Sequence, residues 1–187
     1  MTDNLRTSFE ELPVSDITND QLTGLVLKGA CDVLDQCLVK IDHCVGQLSD
    51  EQVWWRPREE MNSIGNLLLH LMGNVRQWII AGLGTAEDVR NRPAEFSQRG
   101  PIPKEELLAQ MRQTVTDAKS VLAQRTAAEM LAVRRVQGWD VTGWDAMFDC
   151  VPHFKGHTQE IIHLTRLQLG DAYKFHWQPQ NPEQGAK

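Results

Sequence analysis

Two histidines four residues apart are the most chemically suggestive feature of the sequence. His153 and His157 occur in the segment HFKGH, and a helix would place both side chains on one face with Cβ atoms roughly 5 to 6 Å apart. Two imidazoles at that separation can bind one divalent ion. Two ligands make a weak site, however, and histidines in helical proteins often hydrogen-bond to the backbone or to other side chains. The pair alone therefore leaves a metal site and a hydrogen-bonded core both open.

A third histidine that can join the pair occurs in the segment LLLHLMGN. There His70 stands among apolar residues and not on a charged face. On a helical wheel it shares a narrow strip with four other polar residues, Ser63, Asn66, Asn74 and Gln77. A polar strip bounded by apolar residues can line an inward pocket. We therefore take His70, His153 and His157 as candidate metal ligands.

Two further residues near the pair can take part in such a site. Glu160 lies three residues beyond His157, so it can be a fourth ligand, an acceptor for a ligand N–H group, or a general base. The plainer alternative is a helix-face carboxylate paired with a neighbouring helix. Cys150 lies three residues before His153; a sulfur ligand is conceivable there, but a small buried residue is the favoured interpretation. We take Glu160 as the candidate catalytic residue.

The other three histidines are not expected to be ligands. His163 lies six residues past His157 and is directed away from the pair on a helix. His43 falls near the end of the first predicted helix, and His176 falls in the aromatic segment YKFHW.

The elements that position these residues are predicted to be helices, because apolar residues recur at helical spacing and no alternating segment is convincingly long. Capping and stop signals predict four helices: Thr18 to about Gly46, Asn62 or Ser63 to Gly82 or Gly84, Lys104 to about Thr126, and Thr142 to Gly170. The apolar stripes of the first and last helices include Leu22, Leu25, Phe148 and Leu167, all expected to face the core.

Four helices with apolar stripes predict an all-α fold, a four-helix bundle in which side chains on facing helices build the site. The segment from Thr85 to Gly100 is polar and is expected to be a connection. The region from Arg134 to Gly143 has room for a hairpin, but its pattern is too brief to decide. We expect one domain over residues 1–187, with the core at about 18–170.

The two histidine segments, SIGNLLLHLMGNVRQWI and HFKGHTQEIIHLTRLQLG, together resemble the DinB/YfiT-like superfamily. The resemblance covers about Leu22 to Gly170, and the stretch WDVTGWDAMFDCVPHFKGH is similar to an uncharacterised branch of it. It implies an up-down-down-up bundle, often dimeric, with a divalent ion held by His70, His153 and His157. Many members have a Gly-Gln pair after the last ligand, whereas this chain has TQE at 158–160, so the mechanism is the least transferable part.

The resemblance implies a metal-dependent enzyme that transfers a low-molecular-weight thiol to an electrophile or hydrolyses a small substrate. The ion would be zinc or nickel first, with manganese or iron next, since imidazole suits several divalent metals. Two alternatives stay open. One is a non-catalytic stress or structural protein in which the ion ties two helices together. The other is a dimeric helical scaffold without a metal, whose histidines are hydrogen-bonded core residues.

Composition narrows the classes of partner. The chain has 187 residues and a net charge of -6, with no basic run that could follow a phosphate backbone. Its first residues form no apolar signal region, and no stretch of about 18 apolar residues occurs. We therefore expect a soluble cytoplasmic protein that binds neither nucleic acid nor membrane, and the resemblance further implies a homodimer that binds a small molecule. Its four cysteines lack any C-x-x-C pair and are expected to be reduced.

Overall fold

The computed structural model describes residues 17–176, and most of them are helical. Seven helices lie within this range: α1 (Asn19–Gly46), α2 (Asp50–Trp54), α3 (Ile64–Val75), α4 (Arg92–Ser97), α5 (Lys104–Leu122), α6 (Ala127–Leu131) and α7 (Gly143–Leu169). A π-helical segment, Arg76–Ala81, extends α3. Strands β1 (Val133–Val136) and β2 (Trp139–Thr142) form an antiparallel pair.

Local side-chain chemistry explains where the long helices begin. Thr18, Ser63 and Thr142 cap α1, α3 and α7, each accepting a hydrogen bond from the backbone N–H three residues on while that residue bonds back. Such reciprocal bonds satisfy two donors that a bare helix start leaves unpaired. Pro103 precedes α5 without a side-chain cap. The four predicted long helices are thus present, with bounds close to those predicted.

Three short helices and the hairpin go beyond the predicted elements. The segment that was expected to be a plain connection contains α4, which Asn91 caps by accepting a bond from the Ala94 N–H. The hairpin left undecided at Arg134 to Gly143 exists. Its turn uses Gln137 and Gly138, whose φ angles of 52° and 87° suit the tight turns that join paired strands.

Contacts at the helix ends show how the long helices run. Arg112 pairs with Asp42 and Lys119 pairs with Asp35, so α5 runs opposite to α1. Tyr173, just past α7, lies beside Cys44 near the end of α1, so α1 and α7 run in the same direction.

The direction of α3 follows from its two ends. Trp54, shortly after α1, packs against Gly65 at the start of α3, so α3 begins where α1 stops. Arg125, just past α5, donates to the carbonyl oxygen of Leu83 at the far end of the α3 extension. Helices α3 and α5 therefore run in the same direction as each other, opposite to α1 and α7.

The apolar faces of these helices meet in one buried core. Its largest fully buried side chains include Leu34, Ile41, Leu67, Met111 and Phe154. Each fully buried aliphatic or aromatic side chain contributes about 1.5–3 kcal/mol relative to an exposed one. Cys37 and Cys44 are buried in this core. No described helix has the length and apolar composition to cross a membrane.

The buried apolar faces of α1 and α7 are narrower than the sequence predicts. Leu22, Leu25, Phe148 and Leu167 were expected in the core, but between 49 and 61% of each is exposed. A helix covered by neighbours on one side buries only the middle of its apolar stripe. Phe148 instead stacks on Trp144, with ring centroids 6.3 Å apart. The first two turns of α1 and α7, and the last turn of α7, thus present apolar side chains to solvent.

Candidate metal centre

Helices α3 and α7 bring the three predicted histidines together. One ring nitrogen each of His70, His153 and His157 lies within 4.8 Å of the other two. The Nε2 atoms of His70 and His153 are 2.9 Å apart. The three rings stand nearly perpendicular to one another, with centroids 4.5 to 5.2 Å apart. The arrangement points three imidazole edges at a common position.

His70 is the buried member of the group and has a carboxylate behind it. Its Nδ1 lies 2.9 Å from Oε2 of Glu95, which is also buried. Arg90 holds the same carboxylate with two hydrogen bonds, Nε to Oε1 at 2.7 Å and Nη2 to Oε2 at 2.9 Å. Burial would raise the pKa of Glu95, but the hydrogen bonds and charges of Arg90 and His70 hold it below its ordinary value. Glu95 is therefore an ionised acceptor.

The close approach of α4 to α3 depends on two small or polar residues. A Cβ at Gly73 would overlap Oε1 of Glu95, so only glycine leaves room for the carboxylate there. Asn66, buried in the first turn of α3, donates from Nδ2 to the carbonyl oxygens of Glu95 and Gln98 at 2.8 and 3.0 Å. The polar strip predicted on α3 therefore serves to fasten α4 beside His70.

His157 also has a carboxylate behind it, in a different setting. Oε2 of Glu160 lies 2.7 Å from His157 Nδ1, and this hydrogen bond lowers the pKa of Glu160. The Glu160 side chain is 41% exposed. Its Oε1 has no hydrogen-bond partner among residues 17–176. Of the three roles foreseen for Glu160, the geometry matches the acceptor for a ligand N–H group.

His153 is neutral at physiological pH. Burial, followed by the nearby His157 and His70, lowers the pKa of its ring to about 4. A neutral imidazole keeps one lone pair that a metal ion can use. Partial exposure of both histidines of α7 leaves one side of the group accessible to solvent.

The other candidates considered in the sequence lie outside the group. Cys150 is fully buried, and burial raises the pKa of its thiol far above the ordinary range. His163 is exposed on α7. His43 contacts the carbonyl oxygen of Lys174 at the far end of α1. In the described part of the chain, the converging ligand atoms come from His70, His153 and His157.

Sequence reasoning missed Glu95 and Arg90, because both fall in the segment taken for a polar connection. The available signal was the run NRPAEF at 91–96, in which an Asn cap and an early proline are typical of a short helix start. A carboxylate near the end of such a helix is commonplace, so its contact with His70 could not be read from spacing.

The donor set fits a divalent ion. Two imidazole nitrogens on one tetrahedral zinc lie about 3.3 Å apart, given bonds near 2.0–2.1 Å, so the 2.9 Å separation here requires only a small opening. Asn74, one turn beyond His70, has a buried Oδ1 without a hydrogen-bond partner within residues 17–176. A buried acceptor of this kind can be satisfied by a bound ligand. The three ring nitrogens thus supply donors that a divalent ion can use.

A cavity of about 480 Å³ lies beside Glu95. Arg90 and Glu95 form part of its wall, together with apolar residues of α3 such as Leu69 and Met72. None of the three histidines lines it.

Fold and site together define a mostly helical protein in which three histidines from two helices form a group able to hold a metal ion. The chain belongs to the family described as "Protein of unknown function (DUF1572)", whose model matches residues 23–181. That description assigns no activity.

A solved structure has a similar fold. It is described as "Crystal structure of the conserved protein of locus from Enterococcus faecalis", with a TM-score of 0.66 over 78% of this chain and 98% of that chain. The two sequences are 17% identical, so the likeness concerns the fold alone. No match to the chain is found among curated proteins.

Proposed function

We propose that this protein is a metal-dependent enzyme of the DinB/YfiT-like type, which transfers a low-molecular-weight thiol to an electrophile or hydrolyses a small substrate. The observation that carries the proposal is the convergence of one ring nitrogen each from His70, His153 and His157 within 4.8 Å. Three neutral protein ligands with a solvent-facing side are typical of catalytic metal sites, whereas structural sites are closed by a fourth protein ligand.

The helix directions support this superfamily. Helices α1 and α7 run one way while α3 and α5 run the other, as the end contacts indicate. That order corresponds to the up-down-down-up four-helix bundle implied by the resemblance. We also propose that the chain is a cytoplasmic homodimer, as the resemblance and composition suggest; sedimentation equilibrium of the purified protein tests the dimer, and a monomer at micromolar concentration would exclude it.

A bound divalent ion, zinc or nickel in first place, would supply Lewis acidity that lowers the pKa of a water or thiol at the site. The chain's own residues do the rest. His70 and His157 are oriented by the carboxylates behind them. The carboxylate of Glu160 can accept the proton that a water or thiol gives up, because its Oε1 has no hydrogen-bond partner within residues 17–176.

The experiment is cobalt substitution of untagged protein, since cobalt(II) reports its coordination in the visible spectrum. Mercaptoethanol is added and the sulfur-to-cobalt charge-transfer band is followed, after which an activated chloronitrobenzene is supplied and thioether formation is measured. We expect the band and metal-dependent turnover in wild type, and neither in His153→Ala. His163→Ala, an exposed histidine on the same helix, is the matched control.

The outcomes separate the candidate functions. A charge-transfer band with turnover supports thiol transfer. The non-catalytic metal protein would be favoured if cobalt binds but the charge-transfer band and thioether formation are both absent. Small ester and amide substrates would then also remain unhydrolysed. Absence of metal binding at micromolar concentration would leave the histidines as hydrogen-bonded core residues and refute the proposal.

A further inference from the structure

We propose that Glu95 and Arg90 act as a positioning pair that keeps the proton of His70 on Nδ1, leaving Nε2 free as the ligand atom. The inference deepens the proposed metal site and rests on it for its functional meaning. The proton position, however, is a property of the metal-free chain and can be measured there.

The contacts of Arg90 set the charge of Glu95. Arg90 contacts both oxygens of the carboxylate, Oε1 through Nε and Oε2 through Nη2. The side chains of Arg90 and Glu95 are 4% and 9% exposed. A buried bidentate pair of this kind holds the carboxylate in its ionised form, because a protonated acid would leave the guanidinium buried without a counter-charge.

The charge of Glu95 sets the direction of its hydrogen bond to His70. An ionised carboxylate can only accept, and Oε2 lies 2.9 Å from His70 Nδ1. The proton between them therefore belongs to Nδ1. In a neutral imidazole one nitrogen carries the proton and the other keeps its lone pair, so Nε2 is the atom left for an ion. This is the atom that faces His153.

Arg90 alone would have the opposite effect. Its Nη2 lies 3.2 Å from His70 Nδ1, and a guanidinium can only donate. If the Glu95 carboxylate were absent, Arg90 would favour a lone pair on Nδ1 and move the proton to Nε2, where it blocks metal binding. Glu95 thus decides the tautomer, and Arg90 holds Glu95 where it does so.

The surrounding structure is built to maintain this contact. Gly73 leaves room for the carboxylate, and Asn66 binds the backbone of Glu95. Gln77 accepts a hydrogen bond from Arg90 Nη1 at 2.8 Å. All three residues belong to α3 or its extension, the element that carries His70. Glu160 has no such support, since its contact with His157 is partly exposed and within one helix.

The test begins with nitrogen-15 NMR of metal-free protein labelled at histidine, in which long-range correlations show which ring nitrogen carries the proton. We expect Nδ1–H for His70 in wild type and predominantly Nε2–H in Glu95→Ala. Asp42→Asn, which breaks the distant pair with Arg112, should leave His70 unchanged. Nδ1–H retained in Glu95→Ala would overturn the proposal, because Glu95 would then not control the tautomer.

A second variant, Gly73→Ala, is needed because Glu95→Ala leaves Arg90 buried without a counter-charge and can fail to fold. It keeps both charged side chains but displaces the carboxylate, whereas the control Gly156→Ala on α7 adds its Cβ into open space. Zinc affinity should fall roughly 10- to 100-fold in Gly73→Ala and in folded Glu95→Ala, the usual cost of losing such a partner. Gly156→Ala and Asp42→Asn should bind like wild type.

The two measurements distinguish the inference from the proposed function. Wild-type protein that binds no zinc but shows Nδ1–H on His70 would refute the metal enzyme while leaving the positioning role of Glu95 intact. Zinc binding that stays within twofold of wild type in Gly73→Ala, with Nδ1–H unchanged in Glu95→Ala, would refute the positioning role alone.

Discussion

Glu160→Gln separates the chemical role of Glu160 from a structural one. Glutamine keeps the shape of the side chain and one acceptor for the His157 N–H, which lies 2.7 Å from Oε2 in the wild type. It removes the charge and the proton affinity of the carboxylate. Because 41% of the side chain is exposed, the stability change should be at most about 1 kcal/mol, equivalent to roughly 2–4 °C in Tm for a chain of this size.

The effect on turnover should be much larger than the effect on stability. If Glu160 is the general base, the rate at full metal loading falls on the order of 10²-fold or more, equivalent to about 2.7 kcal/mol in the barrier. Glutamine orients the His157 ring less firmly than the carboxylate does, which lowers metal affinity by about 10- to 100-fold. Both proteins must therefore be compared at saturating metal.

The assay is metal-dependent turnover at equal metal content, verified by elemental analysis of the assayed samples. Asp149→Asn is the matched control, because it removes one negative charge from the same helix at an exposed residue without breaking a bond to a ligand. Equal rates for Glu160→Gln and wild type would refute the general-base role and leave Glu160 as an acceptor for His157 only.

His153→Ala and His157→Ala should each lower metal content sharply, since two ligands bind weakly; full occupancy in both, by elemental analysis, would contradict the triad. His163→Ala should leave metal content unchanged, and loss of metal would show that a fourth histidine contributes. The free energy of unfolding of the metal-free protein should fall as the pH falls from about 6.5 towards about 4. The pKa of His153 is lowered in the folded state, so the unfolded chain takes up the proton first. Urea unfolding across that range, with a flatter profile expected for His153→Gln, measures this effect.

Much of the fold was predictable because its signals are local. The capping boxes at Thr18 and Thr142 and the helical spacing of apolar residues depend on neighbours three or four positions away, and both helices begin where predicted. The pairing of His153 with His157 is local for the same reason. The addition of His70 relied on the polar strip and the resemblance, since no local rule relates residues 83 positions apart.

The rest depended on long-range contacts that spacing does not encode. Glu95 reaches His70 across 25 residues, through a segment whose polar composition resembles an ordinary loop. Phe148 was assigned to the core by periodicity, yet it is 61% exposed, because the width of a buried face depends on how many neighbours cover the helix. Both errors concern the segments that pack against a helix, and the sequence of that helix does not specify them.

The central claim, that His70, His153 and His157 hold a divalent ion, is tested most directly by zinc titration of untagged, chelator-treated protein in a calorimeter, with His70→Ala as the paired variant. We expect one ion per chain at submicromolar affinity in wild type and no comparable binding in His70→Ala. Indistinguishable titrations, or no binding by either protein, would contradict it.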